Sequence, residues 1–274
     1  MSTAVLSGVA GAARRVQGVY AGVGGVARKV TKVYAGVNGV ARLSWESSPP
    51  KPPELNPVFG ENSWEEIGGA IADDRIPDSW AVGDEKEIML INGRATTLQI
   101  YGIRHDDLPE GGKASFTLGM KHLSWWRMHM NLSNTNEGSF VASDMYAWLS
   151  GTAVMLLPAD LRAIIKPVVK RTASGNLSQV IQADNLPIFL FAEIETLGTS
   201  TISSVGEGSR YEIFTKGLTS LIKHEHNGTG PAREWWLRSP NRGNSNTFAT
   251  INASGNVSSV NAGMSRDMCF GLCI

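Results

Sequence analysis

The amino-acid sequence predicts an α+β protein with few helices and many short antiparallel strands. Three observations predict this class. Glycine-containing turns between β-branched residues recur near the N-terminus, turn residues separate most of the later apolar segments, and few segments show helical spacing. The chain has 274 residues, of which 42% are hydrophobic, and it contains eight tryptophans, so it can bury a sizeable core.

The first 45 residues repeat with a period of 14 residues. The segment GVAGAARRVQGVYA (8–21) is followed by GVGGVARKVTKVYA (22–35) and by GVNGVARLSW (36–45). Turn pairs that contain glycine stand between valine-rich flanks, a pattern typical of tight β-hairpins: Ala10-Gly11, Gly24-Gly25 and Asn38-Gly39. The pattern predicts short strands and tight turns over 16–45, within a β-hairpin repeat module at 1–46.

A hairpin module of this size cannot bury a core alone, so it must pack on copies of itself or on another protein. We interpret it as an attachment or assembly module. The alternative is a low-complexity linker. A linker needs no period, however, and basic residues recur here at regular places: Arg28, Lys29, Lys32 and Arg42.

A proline-rich stretch follows this module. The segment SSPPKPPELNP (47–57) carries five prolines and no alternating apolar pattern, which predicts a semi-rigid extended spacer. The composition after it is that of a globular domain at 58–274.

Local signals predict the elements of this domain. A helix should begin at the capping box of Ser63 and Glu66, and two more should begin at Ser143 and Pro158. Hairpins are expected around Asn92-Gly93 and Ser254-Gly255. Further strands are expected within 113–123 and in LPIFLFAEIETLG, where the strand would run into Glu193 and Glu195. The segment RYEIFTKGLTSLIKH is predicted to be short and amphipathic.

Charge and hydropathy argue against several classes of protein. The formal net charge is zero and the pI is about 7.0, so no basic surface predicts nucleic-acid or anionic-membrane binding. No apolar run approaches the ~18 residues of a membrane span. Arg14 and Arg15 follow the apolar N-terminal stretch, the wrong order for a secretory signal. Cys269 and Cys273 are too few for a disulfide scaffold, and we predict that both are small buried residues.

No pattern in the sequence amounts to a catalytic or metal-binding motif. His105-Asp106-Asp107 carries ligand-type side chains, but adjacent residues of a strand point to opposite faces. We therefore expect a polar turn at the end of a strand over 95–104. His224 and His226 stand in a polar loop without a visible ligand partner. The sequence thus predicts no catalytic residue, no metal site and no cofactor, and it leaves Ca²⁺ binding open.

The residues before the C-terminus point to ligand binding. Positions 241–268 hold six Asn and five Ser, whose short side chains supply both donors and acceptors in adaptable binding loops. Trp235-Trp236-Leu237 precede this tract and 269–274 follow it, so we expect a scaffold pinned at both ends, with Arg238 salt-bridged inside. The predicted display positions are Asn241, Arg242, Asn244, Asn246, Thr247, Asn252, Asn261, Ser265, Arg266 and Asp267. Ordinary surface hairpins with a turn-rich composition are the alternative.

Several stretches of the globular domain carry a resemblance to a known family. They are VGDEKEIML, LQIYGIRHDDLPEGGKASFTLGMKHL, MNLSNTNEGSFVASDMYAWLSG, LLPADLRAIIKPVVKRT, EIETLG, GEGSRYEIF and WWLRSP, which cover most of 80–240. The domain resembles an uncharacterised family common in phages and integrated elements of Gram-positive bacteria. Members of that family resemble the formylglycine-generating-enzyme type of C-type lectin fold and the variable proteins of diversity-generating retroelements.

This resemblance implies a C-type-lectin-like body whose C-terminal region is diversified at template adenines, and Asn and Ser codons can be rich in adenine. The repeat KVTKVYAGVNGVAR is similar to N-terminal segments of phage tail and baseplate proteins. That similarity implies docking on a virion through 1–46, as a homotrimer. The chain ends in DMCFGLCI, where relatives often end in a Gly-Val-Arg-Pro-like stretch. Cys269 and Cys273 do not match the copper site of the enzyme branch, which argues against oxidase activity.

The leading hypothesis is a non-enzymatic receptor-binding protein, an adhesin at a phage tail tip or fibre. Residues 241–268 would bind a host cell-surface protein or glycan, and 1–46 would bind tail or baseplate proteins. Neither nucleic acid nor membrane is an expected partner. The protein would be made in the bacterial cytoplasm and located in the virion. Two alternatives stay open: a structural baseplate or decoration protein without a receptor, and an enzyme of the formylglycine-generating or glycan-active type.

Overall fold

A computed structural model of the protein describes residues 6–9, 12–15, 19–23, 26–37, 40–46 and 54–274. The chain forms two compact units, Met1–Glu54 and Leu55–Ile274. Strands predominate over short helices among the described residues, and the architecture includes a sheet curled into a half-barrel. The predicted α+β class is therefore confirmed.

Short β-hairpins follow one another in the first unit. They pair β1 (Leu6–Val9) with β2 (Ala12–Arg15), β3 (Val19–Val23) with β4 (Val26–Val30), and β5 (Lys32–Val37) with β6 (Val40–Glu46). Their innermost pairs are Val9–Ala12, Val23–Val26 and Val37–Val40, so one hairpin recurs every 14 residues. The predicted strand pairing is confirmed. The predicted turn pairs at 10–11, 24–25 and 38–39, and residues 47–53 of the predicted spacer, lie outside the described residues.

The second unit begins a few residues before the predicted domain boundary at 58. Leu55 packs against the hydrophobic core of this unit. The backbone oxygen of Asn56 accepts a hydrogen bond from the indole nitrogen of Trp80 at 3.1 Å, and the Asn56 N–H donates to Asn62 Oδ1 at 2.8 Å. Residues 55–57 therefore belong to the folded body rather than to an extended spacer.

The helices of this unit are short, and three of them begin at the predicted starts, Ser63, Ser143 and Pro158. Their bounds are α1 (Trp64–Ala72), α2 (Asp144–Trp148), a π-helical turn (Leu149–Ala153), α3 (Val154–Leu156), α4 (Ala159–Ile164) and α5 (Glu193–Leu197). Ser63 Oγ accepts from the Glu66 backbone nitrogen, and the Ser63 N–H donates to the Glu66 carboxylate at 2.7 Å, so the predicted capping box is confirmed. Ser143 Oγ accepts from the Tyr146 backbone nitrogen at the start of α2, without a capping box, and Pro158 directly precedes α4. No helix among the described residues has the length and apolarity needed to cross a membrane.

The strands of the second unit are β7 (Glu85–Met89), β8 (Ala95–Ile103), β9 (Phe116–Met120), β10 (Arg127–Met128), β11 (Val168–Gly175), β12 (Ser178–Leu186), β13 (Ile188–Leu190), β14 (Lys223–His224), β15 (Ala232–Arg233), β16 (Trp235–Pro240), β17 (Thr247–Ile251), β18 (Val257–Asn261), β19 (Arg266–Met268) and β20 (Phe270–Cys273). Short 3-10 turns occupy Phe59–Glu61, Glu212–Lys216, Leu218–Ser220 and His226–Gly228.

Two sheets of five described strands each organise the core. The first has the order β13-β20-β9-β8-β7 and is antiparallel throughout, and the second has the order β10-β19-β16-β17-β18, with β16 and β19 parallel. Predicted turns connect β7 to β8 and β17 to β18, where Gly93 and Gly255 adopt positive φ angles, so both predicted hairpins are confirmed. The two apolar flanks of 241–268 therefore lie in different sheets.

Three parts of the second unit differ from the sequence-based expectations. The strand predicted to run into Glu193 and Glu195 ends at Leu190, and both glutamates lie on α5. The long hairpin of β11 and β12 was not predicted, because β12 exposes most of its residues and lacks an apolar alternation. The amphipathic segment after Tyr211 forms two 3-10 turns. Cys269 and Cys273 are free, buried thiols, as predicted.

The first sheet leaves no room above Gly119. A Cβ atom at this position would lie 2.5 Å from Cε2 of Tyr101. The Tyr101 ring cannot move aside easily, because its hydroxyl donates to the Met120 carbonyl at 2.5 Å and its face stacks on Phe191. We expect Gly119→Ala to lower the free energy of unfolding by about 1–3 kcal/mol, measured by urea denaturation.

The matched control is Gly69→Ala in α1, where nothing lies within 4 Å of the added Cβ atom. Alanine restricts the unfolded chain and favours the helix, so this variant should be as stable as the wild type or more stable by about 0.5–1 kcal/mol. Equal stability of the two variants would contradict the packing argument.

Candidate functional site

The predicted display positions divide between the two ends of the β17–β18 hairpin. Thr247 pairs with Asn261 at one end and Ile251 pairs with Val257 at the other, about 14 Å away at ~3.4 Å per residue. Five predicted residues gather at the first end, and we call them the loop face: Asn241, Arg242, Asn244, Asn246 and Asn261. The Asn241 N–H donates to the Thr247 carbonyl at 3.0 Å, and the Ala262 N–H donates to the Asn246 carbonyl at 2.8 Å.

The other predicted residues do not join this face. Asn252 and Arg266 lie at the far end of the hairpin, where Glu234 Oε2 accepts from the Arg266 guanidinium at 2.6 Å. Ser265 is exposed between the two ends.

Thr247 and Asp267 are buried, with 6% and 1% of their surface exposed, so display is wrong for these two positions. Thr247 opens β17 beneath the loop, and Asp267 lies on β19 beside β16. Burial raises the pKa of Asp267 to about 6, against the opposing charge of Arg127 3.2 Å away.

A buried asparagine holds the loop face from beneath. The Asn136 side-chain nitrogen donates to three backbone carbonyls, those of Asn241 at 3.3 Å, Asn244 at 2.9 Å and Thr247 at 2.9 Å. Its side-chain oxygen accepts from the Asn176 N–H at 2.7 Å. Sequence reasoning missed this residue, because the carbonyls that accept from its side chain lie more than 100 positions away and no local pattern marks it.

Several asparagines of the tract brace their own loops. Asn241 Oδ1 accepts from the Gly243 N–H at 2.8 Å, Asn244 Oδ1 from the Asn246 N–H at 2.9 Å, and Asn252 Oδ1 from the Ser254 N–H at 2.9 Å. These contacts are the turn-forming role that short polar side chains often have. At these three positions, asparagine is explained by its role in stabilising a turn. The side chains of Arg242, Asn246 and Asn261 are exposed. Arg242 Nη2 donates to the Thr201 carbonyl at 3.3 Å, and Asn246 Oδ1 accepts from the Ser245 hydroxyl at 3.4 Å.

Exposed apolar side chains stand beside the loop face. Leu132 and Met264 are 74% and 50% exposed. Their loops contact each other, since the Gly263 N–H donates to Asn134 Oδ1 at 3.1 Å and the Asn131 N–H donates to the Ala262 carbonyl at 3.0 Å. Exposed apolar side chains next to polar ones are found at protein-recognition surfaces.

A buried ion cluster is centred on Arg238 of β16, the strand that precedes the loop at 241–246. The Arg238 guanidinium binds the Glu195 carboxylate through two bonds of 2.5 and 2.8 Å, which confirms the predicted internal salt bridge. Lys170 Nζ donates to Glu195 Oε1 at 2.8 Å, to Asp106 Oδ1 at 2.6 Å and to the Tyr211 hydroxyl at 2.6 Å. Burial alone would raise the pKa of Glu195, but the charges of Arg238 and Lys170 lower it.

Glu207 sits at the edge of this cluster. Its carboxylate accepts from the Ala173 N–H at 2.9 Å and is hydrogen-bonded to the Ser239 hydroxyl. The residue is fully buried, and this burial raises its pKa to about 7. Glu207 therefore takes up a proton near neutral pH, unlike its neighbour Glu195.

The described residues show no metal centre. Among them, no three His, Cys, Asp or Glu side chains are grouped so that they could hold a metal ion. His226 stacks on Trp125 with 4.7 Å between the ring centroids, and His224 Nδ1 lies 3.1 Å from the Gly230 carbonyl. The 105–107 segment follows the end of β8 at Ile103, as expected, but it is bent rather than a turn, and Asp106 is buried.

Comparison with protein families gives one match. The family described as Domain of unknown function (DUF6273) matches residues 117–269, more than half of the chain. The chain belongs to this family. The DUF6273 match begins in β9 and ends at Cys269. It includes the loop face, Asn136 and the cluster residues Lys170, Glu195 and Arg238. Among curated proteins and among solved structures, nothing matches the chain.

We expect Asn136→Asp to loosen the loop face. An ionised carboxylate has no proton to donate, so three carbonyls lose their buried donor, at a cost of roughly 3 kcal/mol. Urea denaturation should show this loss, and trypsin should cleave faster after Arg242. Asn256→Asp is the control, since the exposed Asn256 side chain makes no hydrogen bond among the described residues. Equal effects of the two substitutions would refute the role assigned to Asn136.

We expect Glu207→Gln to flatten the pH dependence of stability. The folded protein holds the Glu207 proton up to about pH 7, whereas the unfolded chain releases it near 4.5. Stability should therefore fall between pH 4.5 and 7, by roughly 3 kcal/mol in total, and the neutral amide removes this loss. Denaturation at pH 4 and pH 8 should show the variant more stable than the wild type at pH 8 and not at pH 4. The exposed Glu212→Gln is the control, and an unchanged slope in Glu207→Gln would contradict the assignment.

Proposed function

We propose that this protein is a phage receptor-binding protein whose loop face binds a host cell-surface protein or glycan. The observation that carries the proposal is the construction of that face. Arg242, Asn246 and Asn261 present exposed polar side chains on a backbone that Asn136 clamps from below. A preorganised backbone reduces the entropy lost on binding, so such a surface is suited to ligand recognition.

Burial and packing support a binding role for this end of the molecule. Strands β16 and β17, which flank the loop at 241–246, are buried along their whole lengths, so this loop projects from a rigid base. Leu132 and Met264 add apolar area at the margin, where desolvation would strengthen polar contacts. Exchange of the exposed side chains leaves the core contacts of both strands in place. Tolerance of such exchanges also suits diversification of these positions by a retroelement, which is part of the proposal. The proposal also assigns a C-type-lectin-like fold to the body.

The N-terminal hairpins have a separate part in the proposal. Each described hairpin is a two-stranded sheet of four to seven residues per strand. Isolated hairpins of this size are at best marginally stable in water, so a partner surface would stabilise them. We assign to residues 1–46 attachment to tail or baseplate proteins, in a homotrimer that belongs to the virion.

The test uses the labelled full-length chain on a panel of Gram-positive bacterial cells, read by flow cytometry. The variant Arg242→Ala/Asn246→Ala/Asn261→Ala removes three exposed side chains without touching the braces at Asn241 and Asn244. If each contact contributes about 1 kcal/mol, the apparent Kd should rise roughly 100-fold.

The matched control is Ser254→Ala/Asn256→Ala, at the opposite end of the same hairpin. It should bind like the wild type. Unchanged binding by the triple variant would contradict the assignment of ligand binding to the loop face. Absence of binding to every strain would favour a structural baseplate or decoration protein instead.

A further inference from the structure

A cavity lies beside the ion cluster, apart from the residues of the loop face. Its volume is about 220 Å³, and charged or polar side chains form most of its lining: His105, Asp106, Lys113, Arg171, Glu207 and Ser209. At the mouth, Asp107 pairs with Lys113 at 2.6 Å and with Arg171 at 3.5 Å. The space suits a small group attached to a polar molecule.

Three of the lining residues have the relative placement of a nucleophile, a base and an orienting acid. Ser209 Oγ lies 3.2 Å from His105 Nε2, and His105 Nδ1 lies 3.7 Å from Asp106 Oδ2. His105 Nδ1 is buried, and it has no hydrogen-bond partner among the described residues. Such contacts often tighten only when substrate is bound. Ser209 itself is exposed, and it lines the cavity.

The surroundings fix the imidazole and its acid in place. The His105 ring stacks on Tyr211, with 4.1 Å between the centroids and 30° between the planes. Asp106 is anchored by bonds from Lys170 Nζ at 2.6 Å, Thr117 Oγ1 at 2.5 Å and the Tyr211 hydroxyl at 2.8 Å. Burial would raise the pKa of Asp106, but the Lys170 charge and the hydrogen bonds from Lys170 and Thr117 hold it well below its usual range. The acid is therefore ionised, as the orienting role requires.

The backbone explains how adjacent residues come to share one site. On a strand, His105 and Asp106 would point to opposite faces. The chain leaves β8 at Ile103, and Arg104 adopts a left-handed conformation with φ of 50°, which turns both side chains toward the cavity. On the other side, Gly208 has φ of 137°, and a Cβ there would lie 2.8 Å from Glu195 Oε1. Only glycine allows this close approach of the 206–209 backbone to the ion cluster.

We propose that Ser209, His105 and Asp106 form a hydrolytic triad that removes a short acyl group from an ester of a polar alcohol. A triad is defined by geometry and roles and not by chain order. The cavity is large enough for an acetyl-sized group, and the paired charges at its mouth suit a polyhydroxylated leaving alcohol. This activity is independent of ligand binding at the loop face.

The chemistry balances with water as the second substrate. Ser209 Oγ attacks the ester carbonyl carbon while its proton passes to His105 Nε2, and the Asp106 carboxylate stabilises the imidazolium through Nδ1–H. The ester C–O bond then breaks, and Nε2 returns the proton to the leaving alcohol. Water attacks the acyl-serine, giving its proton to Nε2. The carboxylic acid leaves, and Ser209 Oγ regains a proton from Nε2. The N–H groups of Gly208 and Ser209, which have no acceptor among the described residues, are free to bind the oxyanion.

The experiment treats the full-length protein with a fluorophosphonate probe and maps the adduct by peptide mass spectrometry. The same samples are assayed for p-nitrophenyl acetate hydrolysis. We expect the adduct on Ser209, and Ser209→Ala and His105→Gln should each lose adduct formation and turnover at least 100-fold. Circular dichroism and urea denaturation check that both variants fold. Ser254→Ala, an exposed serine outside the cavity, should behave like the wild type.

Two outcomes overturn the triad: no adduct on Ser209 in the folded wild type, or hydrolysis that persists in Ser209→Ala. Cell binding separates this proposal from the receptor-binding proposal. Ser209→Ala should still bind cells, and the triple loop-face variant should still form the adduct.

Discussion

Lys170 and Arg238 are fully buried cations that share the Glu195 carboxylate, and the arrangement of the folded body depends on this ion cluster. Removal of several charges from water is costly, so the cluster is tolerated only because each charge is paired and hydrogen-bonded. Two buried cations face the ionised carboxylates of Glu195 and Asp106. Loss of one partner would strand a charge in the core, at a cost of roughly 3–5 kcal/mol.

The cluster also joins elements that are far apart in the chain. Lys170 comes from β11, Glu195 from α5 and Arg238 from β16, three residues before the loop face begins. Arg238 donates to the Glu207 carbonyl at 2.7 Å, which fixes the segment that carries Ser209. One set of ion pairs thus holds both the base of the loop face and the wall of the cavity that Ser209 lines. The proposed binding surface and the proposed reactive pocket therefore share one rigid support.

Local signals predicted the parts of the fold that depend on neighbours in the chain. The capping box at Ser63, the turns at Asn92-Gly93 and Ser254-Gly255, and the periodic hairpins of the N-terminus all form as expected. Burial of the Trp235-Trp236 pair was also foreseen from composition. The expectation of ten displayed residues was less accurate. Composition cannot tell an exposed polar residue from one that braces a turn, as Asn244 does, or from one that is buried, as Asp267 is.

The sequence by itself determined the α+β class, the hairpin repeat, the main turns and helix starts, and the polar character of the C-terminal tract. These depend on contacts within a few residues, where side-chain type and spacing decide the conformation. Only the tertiary structure decided which tract residues share one end of a hairpin, that Asn136 supports them, and that Ser209 meets His105. The contacts of Asn136 with the tract and of Ser209 with His105 join residues more than 100 positions apart, and they depend on how the strands of both sheets are ordered in space.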